Sequence, residues 1–137
     1  PAVFSTTGNS YPHVVLRGGR QPNYDAASIA ACEKALRAAR LPANIIVDCS
    51  HGNSGKDPAK QGLVLRDVLA QLEAGNRSIR GFMLESNLEG GAQPMGTDPT
   101  RLNPRQSITD ACIDWPTTEA LLREAHARIA KLIRELK

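Results

Sequence analysis

Three short apolar runs alternate with three longer helical patterns along the chain. The first run, HVVLRGG from His13 to Gly19, is β-branched and stops at paired glycines. After the polar stretch RQPNYD comes AASIAACEKALRAAR, where Ile29, Cys32, Leu36 and Ala39 recur at helical spacing. Asp25 stands where an N-cap belongs, and Leu41-Pro42 ends the pattern. The second run is NIIVDCS, Asn44 to Ser50. Beyond a polar loop, DPAKQGLVLRDVLAQLEAGN predicts a helix with Asp57 as its cap, Pro58 in its first turn and Gly75-Asn76 at its C-terminal end. The third run is IRGFMLES, Ile79 to Ser86. A long loop rich in Gly, Pro and Asn runs from Asn87 to about Thr109. The chain then closes with WPTTEALLREAHARIAKLIRELK, a helical pattern whose apolar stripe is Leu121, Leu122, Ala125, Ile129, Leu132 and Ile133.

The predicted order is therefore β-α-β-α-β-α, an α/β fold. Short apolar strands without clean alternation predict a parallel sheet covered on both faces. Such sheets have right-handed crossovers and collect function at the C-terminal ends of their strands. No repeat, low-complexity segment or linker divides the chain, so one domain is expected.

Composition narrows the class. The 137 residues are 41% hydrophobic and 23% charged, ordinary for one small globular domain. Aromatics make up only 4%, so the core must be built from Leu, Ile, Val and Ala. No apolar run is long enough to cross a bilayer, and no signal-peptide pattern is present. Cys32, Cys49 and Cys112 are odd in number and widely spaced, which argues against a disulfide framework and for a reducing cytoplasm. The sequon Asn76-Arg77-Ser78 would matter only in a secreted protein. Net charge of +3 mildly favours anionic partners, either phosphorylated small molecules or nucleic acid. Nucleic-acid binding predicts a basic stripe with stacking aromatics, and the scattered two Phe, two Tyr and one Trp do not supply it.

Candidate chemistry falls at the same place in each unit. The first strand ends in Arg17-Gly18-Gly19, the second in Asp48-Cys49-Ser50-His51 and the third in Glu85-Ser86. A parallel sheet puts these ends on one edge, and Asp110 lies in SITDAC before the last helix. His, Glu and Asp form a mixed nitrogen and oxygen set that suits Mn, Fe, Co or Zn better than a structural, thiolate-bound zinc. Taken singly, each has a plainer reading: His51 as a hydrogen-bonded structural residue, Glu85 as a loop cap, Asp110 as a helix N-cap. Arg17 beside two glycines offers a planar fork to a phosphate that can approach the backbone closely, or else a surface salt bridge. GNSGKD is not a phosphate loop, because the spacing is wrong and Asp57 follows Lys56.

Taken together, LRGGRQPNYDA, VDCSHGNSGK, GFMLESNLEGGAQ and SITDACIDW occur in an order that closely resembles the C-terminal part of the type I 3-deoxy-D-arabino-heptulosonate 7-phosphate (DAHP) synthases. The likeness runs from about Val3 to the final helix. It implies the C-terminal portion of a (β/α)8 barrel, about three βα units, with the three strands as the sixth to eighth. It implies condensation of phosphoenolpyruvate with erythrose 4-phosphate, the first step of the shikimate pathway. His51, Glu85 and Asp110 are implied as three of four ligands of an essential divalent metal, with His51 near the reacting centre. Arg17 is implied as a phosphoenolpyruvate phosphate ligand, Asp110 as a contact to an erythrose 4-phosphate hydroxyl, and Asn53, Ser54 and Lys56 as supporting groups in the loop after the second strand. Feedback inhibition by an aromatic amino acid is common in the family, and Val3 to Thr6 fall where part of that site is expected. The complete enzyme is expected to be a homo-oligomer, dimer or tetramer, without nucleic-acid or membrane partners.

The departure from the family is one of length. A whole barrel takes roughly 250 residues, and the chain opens PAVFSTTG without an initiator Met. The family's cysteine ligand and its Lys-Pro-Arg-Thr loop have no counterpart in this sequence. The chain alone is therefore expected to be inactive. Two rival readings remain: a non-catalytic half-barrel that binds phosphometabolites, and the related 8-phosphate synthase that uses arabinose 5-phosphate.

Overall fold

Each predicted apolar run supplies a strand shorter than the run itself. In a computed structural model describing residues 2–135, β1 is Val14–Leu16, β2 is Ile45–Asp48 and β3 is Ile79–Met83. They form one parallel sheet in the order β1-β2-β3, with Leu16 opposite Val47 and Asp48 opposite Met83. Sequential order with parallel strands places the intervening helices on one face of the sheet.

The first of those helices begins where its cap predicts. Asp25 accepts from the Ser28 N–H at 3.0 Å and starts α1, Ala26–Ala38. A short turn of helix, α2, covers His51–Ser54 directly after β2. Asp57 accepts from the Ala59 N–H, but it caps a single 3-10 turn, Pro58–Lys60, which then feeds α3 at Gln61–Glu73. The last helix, α4, is Trp115–Glu135. Its predicted final residues, Leu136 and Lys137, lie outside the described residues. Asp114, rather than Asp110, satisfies its first turn, accepting from the Thr117 N–H at 2.9 Å.

The core lies between the sheet and α1, α3 and α4. Ile45 and Val47 from β2 meet Ile29 and Leu36 of α1, Val64, Leu65, Val68 and Leu69 of α3, and Leu121 and Ala125 of α4. As expected from the composition, no aromatic residue is fully buried among them. Ion pairs between Arg66 and Glu124 and between Arg128 and Glu73 tie α3 to α4 across the surface.

Two expectations are corrected. The apolar stripe of α4 is narrower than its sequence suggests: Leu121, Ala125 and Ile129 face the core, whereas Leu122 is 42% exposed and Ile133 53% exposed. Successive helical residues point about 100° apart, so Leu122 and Ile133 fall with Trp115 on a neighbouring face that nothing among the described residues covers. The sheet, too, is covered on one face only. Val14 and Leu16 pack into the core, but Val15 is 39% exposed and Met83 45% exposed. Apolar side chains on both faces of a strand suit burial on both faces, and the described residues supply one layer.

Candidate functional site

The C-terminal edge of the sheet gathers the polar residues. Immediately after Asp48 the chain turns sharply, and His51 adopts a left-handed backbone with φ +48°. That conformation is costly for a residue with a Cβ, and several contacts hold it. The Asp48 carboxylate lies 2.8 Å from His51 Nδ1. The Lys56 N–H donates to the His51 carbonyl at 2.8 Å. Behind the turn, the buried Asn53 amide donates to the carbonyls of Asp48 and Leu16, while its oxygen accepts from the Asn23 N–H. Asn53 thus ties the end of β2 to the end of β1 and to the loop after it.

Glu85 is placed by a different device. Gln61, fully buried in the first turn of α3, donates to the Glu85 carbonyl at 3.0 Å and accepts from the Glu85 N–H at 2.8 Å. The Glu85 carbonyl also accepts from the Ile113 N–H, and Asn87 donates to the Ile113 carbonyl. These bonds bring the SITDAC segment back to the end of β3. The Ser50 hydroxyl donates to the Glu85 carboxylate.

As a result, three side chains from three separate segments meet. His51 Nε2 lies 3.3 Å from a Glu85 oxygen and 3.6 Å from an Asp110 oxygen. One ligand atom from each of the three lies within 4.8 Å of the others. Each is half-buried, so the group opens to the strand-end edge. One imidazole nitrogen and two carboxylates in such proximity make a donor set for a hard or borderline divalent cation, and two converging carboxylates favour a positive charge between them.

The other predicted residues stand near this group without joining it. Arg17 directly follows β1, one position past the Leu16–Val47 pair, and is exposed with no ion pair among the described residues. Lys56 is exposed at the end of α2 with φ +63°, and likewise has no ion pair there. Ser54 is buried and donates to the His51 carbonyl. Cys49 is fully buried, and its thiol is pushed up to about 12 by desolvation and then by the neighbouring Asp48 charge. Burial also pushes the Cys112 thiol up. Neither cysteine belongs to the His51 group.

Gln61 and the bond from Asp48 to His51 were not drawn from the sequence. Gln61 did leave a signal, since it occupies the same helical stripe as Leu65 and Leu69. A polar residue in an apolar stripe implies a buried partner.

Comparison with known proteins gives the family. Residues 2–123 match the family model of the DAHP synthetase I family. The Tyr-sensitive phospho-2-dehydro-3-deoxyheptonate aldolase of Escherichia coli (strain K12) is 49% identical over 125 residues, covering 91% of this chain and 35% of that protein. The Phe-sensitive protein of the same strain is 44% identical over 124 residues, covering 90% and 35%. The solved structure of phospho-2-dehydro-3-deoxyheptonate aldolase from Francisella tularensis SCHU S4 superposes with a TM-score of 0.85 at 38% identity, covering 94% of this chain and 37% of that one. The chain thus spans about a third of the length of these relatives. With the family model matched across residues 2–123 of its 137, the chain belongs to the DAHP synthetase I family.

Proposed function

We propose that the complete protein carrying this chain condenses phosphoenolpyruvate with erythrose 4-phosphate, giving 3-deoxy-D-arabino-heptulosonate 7-phosphate and inorganic phosphate. The observation that carries this reading is the meeting of His51, Glu85 and Asp110 within 4.8 Å, in a chain whose relatives are named phospho-2-dehydro-3-deoxyheptonate aldolases.

In this reading the chain is the last portion of a (β/α)8 barrel, with β1, β2 and β3 as strands six to eight. The sheet supports it: each outer strand has a free edge among the described residues, and the uncovered face carries Val15 and Met83. A closed barrel would bury that face and pair both edges. The exposed Trp115, Leu122 and Ile133 face of α4 would then pack on barrel elements supplied from elsewhere in the protein.

His51, Glu85 and Asp110 would hold a divalent metal (Mn, Fe, Co or Zn), and their nitrogen and oxygen donors fit one. When bound, such a metal acts as a Lewis acid toward the aldehyde carbonyl. In the reaction, C3 of phosphoenolpyruvate forms a bond to the aldehyde carbon of erythrose 4-phosphate. Water adds at C2, the C–O bond to the phosphate breaks, and phosphate leaves with the bridging oxygen. Arg17 offers its guanidinium fork to the phosphoenolpyruvate phosphate. Asp110 accepts from an erythrose 4-phosphate hydroxyl, and Lys56 adds positive charge for the anionic substrates. Gly18 after Arg17 and Gly52 after His51 fill each other's Cβ space, so they let the loops bearing these two residues approach closely. The relatives' Tyr-, Phe- and Trp-sensitive names suggest feedback by an aromatic amino acid. The exposed Val3–Thr6 segment is the candidate contributor to that effector site.

The test follows phosphoenolpyruvate absorbance in the complete protein with Mn²⁺ and erythrose 4-phosphate, with EDTA and arabinose 5-phosphate as controls. Consumption requiring both metal and erythrose 4-phosphate is expected, and His51→Ala abolishes it. Turnover of arabinose 5-phosphate alone, or none with either sugar, would overturn the assigned reaction. Undiminished activity in His51→Ala would remove the ligand assignment.

A further inference from the structure

Asp48 is nearly inaccessible, at 3% exposure, and both its carboxylate oxygens are engaged. Oδ1 accepts from the Ser50 N–H at 2.8 Å, closing the turn after β2. Oδ2 lies 2.8 Å from His51 Nδ1. On the other side of the ring, Nε2 faces the Glu85 and Asp110 carboxylates at 3.3 and 3.6 Å.

We propose that Asp48 is a positioning residue that fixes His51 with its ring proton on Nδ1 and its lone pair on Nε2, aimed at Glu85 and Asp110. A carboxylate accepts hydrogen bonds and has none to give, so Nδ1 must carry the proton. In the neutral ring, Nε2 is then the free donor atom. The same bond fixes the plane of the imidazole, which matters because the His51 backbone is itself in a costly conformation. Outer carboxylates of this kind set the tautomer and orientation of a ligating histidine. The inference rests on the metal-binding reading above.

The Ser50 bond makes the proposal sharply testable. In Asp48→Asn, the atom facing the Ser50 N–H must be the amide oxygen, since two donors cannot pair. The amide NH₂ then faces His51 and donates to Nδ1, which forces the ring proton onto Nε2. Shape is kept and the tautomer is reversed. Asp48→Ala removes the group altogether and leaves the ring free to choose.

In the complete protein, Mn²⁺ affinity is measured by calorimetry, beside thermal unfolding of the metal-free protein. Asp48→Asn should unfold near the unsubstituted protein yet bind Mn²⁺ some 10–100-fold more weakly. That loss should be at least as large as in Asp48→Ala, which should be the less stable of the two. A purely structural role predicts the opposite affinity order, with Asn near normal and Ala impaired, and that result overturns the proposal. A second measurement needs no variant to fold: ¹⁵N shifts of the His51 ring in histidine-labelled, metal-free protein. They should place the proton of the neutral ring on Nδ1, and a proton on Nε2 overturns the proposal. If the unsubstituted protein takes up no Mn²⁺, Co²⁺ or Zn²⁺, the metal reading and this inference fall together. Uptake with unchanged affinity in Asp48→Asn removes this inference alone.

Discussion

Gly18 and Gly52 lie backbone against backbone. A Cβ on Gly18 would stand 2.6 Å from the Gly52 carbonyl carbon and from the Asn53 nitrogen. A Cβ on Gly52 would stand 2.8 Å from the Gly18 carbonyl carbon and the Gly19 nitrogen. One glycine follows Arg17 and the other follows His51, so this contact sets how closely the candidate phosphate ligand and the candidate metal ligand approach. Gly18 also has φ +74°, which a side chain disfavours.

Alanine at Gly18 should therefore destabilise the protein by about 1–3 kcal/mol from backbone strain alone, with the collision adding to it. It should also weaken phosphoenolpyruvate binding more than Mn²⁺ binding, because the loop displaced is the one carrying Arg17. Gly52→Ala should impair both, because it moves the turn that bears His51. Urea unfolding and separate titrations of substrate and metal check the two claims. A Gly18→Ala variant with unchanged phosphoenolpyruvate affinity would show that the spacing is irrelevant to the site.

Gln61 holds Glu85 by both of its backbone groups. Gln61→Ala leaves the Glu85 N–H without that partner in a part-buried site, and such an orphan costs about 1–3 kcal/mol. The urea midpoint should fall and Mn²⁺ affinity with it, since the end of β3 is released. An unaltered midpoint would mean that water replaces the amide at no cost.

The Cys49 thiol, raised from 9.0 to about 12 by burial, predicts two behaviours. Alkylation at pH 8 should label Cys32 and Cys112 before Cys49, which reacts only on unfolding, because the thiolate is the nucleophile. Stability should also fall as pH rises past 9. There the unfolded thiol ionises while the folded one keeps its proton, so the unfolded state binds fewer protons. The slope from this group is at most about 1.4 kcal/mol per pH unit until about 12. Cys49→Ala compared with the unsubstituted protein from pH 8 to 10 isolates it. Equal slopes would contradict the burial argument.

At the opposite end of the sheet, Glu33 of α1 accepts from the Ser78 hydroxyl at 2.5 Å and the Asn76 amide at 2.9 Å. These bonds, the Ser78 bond foremost, hold its carboxyl below the ordinary value of 4.5, with Arg37 adding a smaller pull. A depressed carboxylate stabilises the fold fully above its unfolded value, and that contribution is lost as pH falls through the folded value. Glu33→Gln should thus lose less stability than the unsubstituted protein as pH drops below about 4.5. Parallel acid-unfolding curves would argue against the linkage.

By itself, the sequence determined the local elements and the residue types of the site. Apolar runs, the Asp25 and Asp57 caps and the strand-end position of Arg17, His51 and Glu85 are legible because they depend on neighbours a few residues apart. Tertiary structure decided which of those residues meet. Asp110 joins His51 and Glu85 only because Ile113 bonds the Glu85 carbonyl and returns the loop to the sheet. Periodicity marks an apolar stripe, but not how much of it a neighbour covers, so Leu122 and Ile133 of α4 belong to the stripe and yet stand exposed. Nor does a list of strand-end residues reveal that Asp48 turns its carboxylate to His51 or that Gln61 grips Glu85. Those bonds join groups on different elements, and their partners are fixed only once the sheet, α3 and the returning loop have packed.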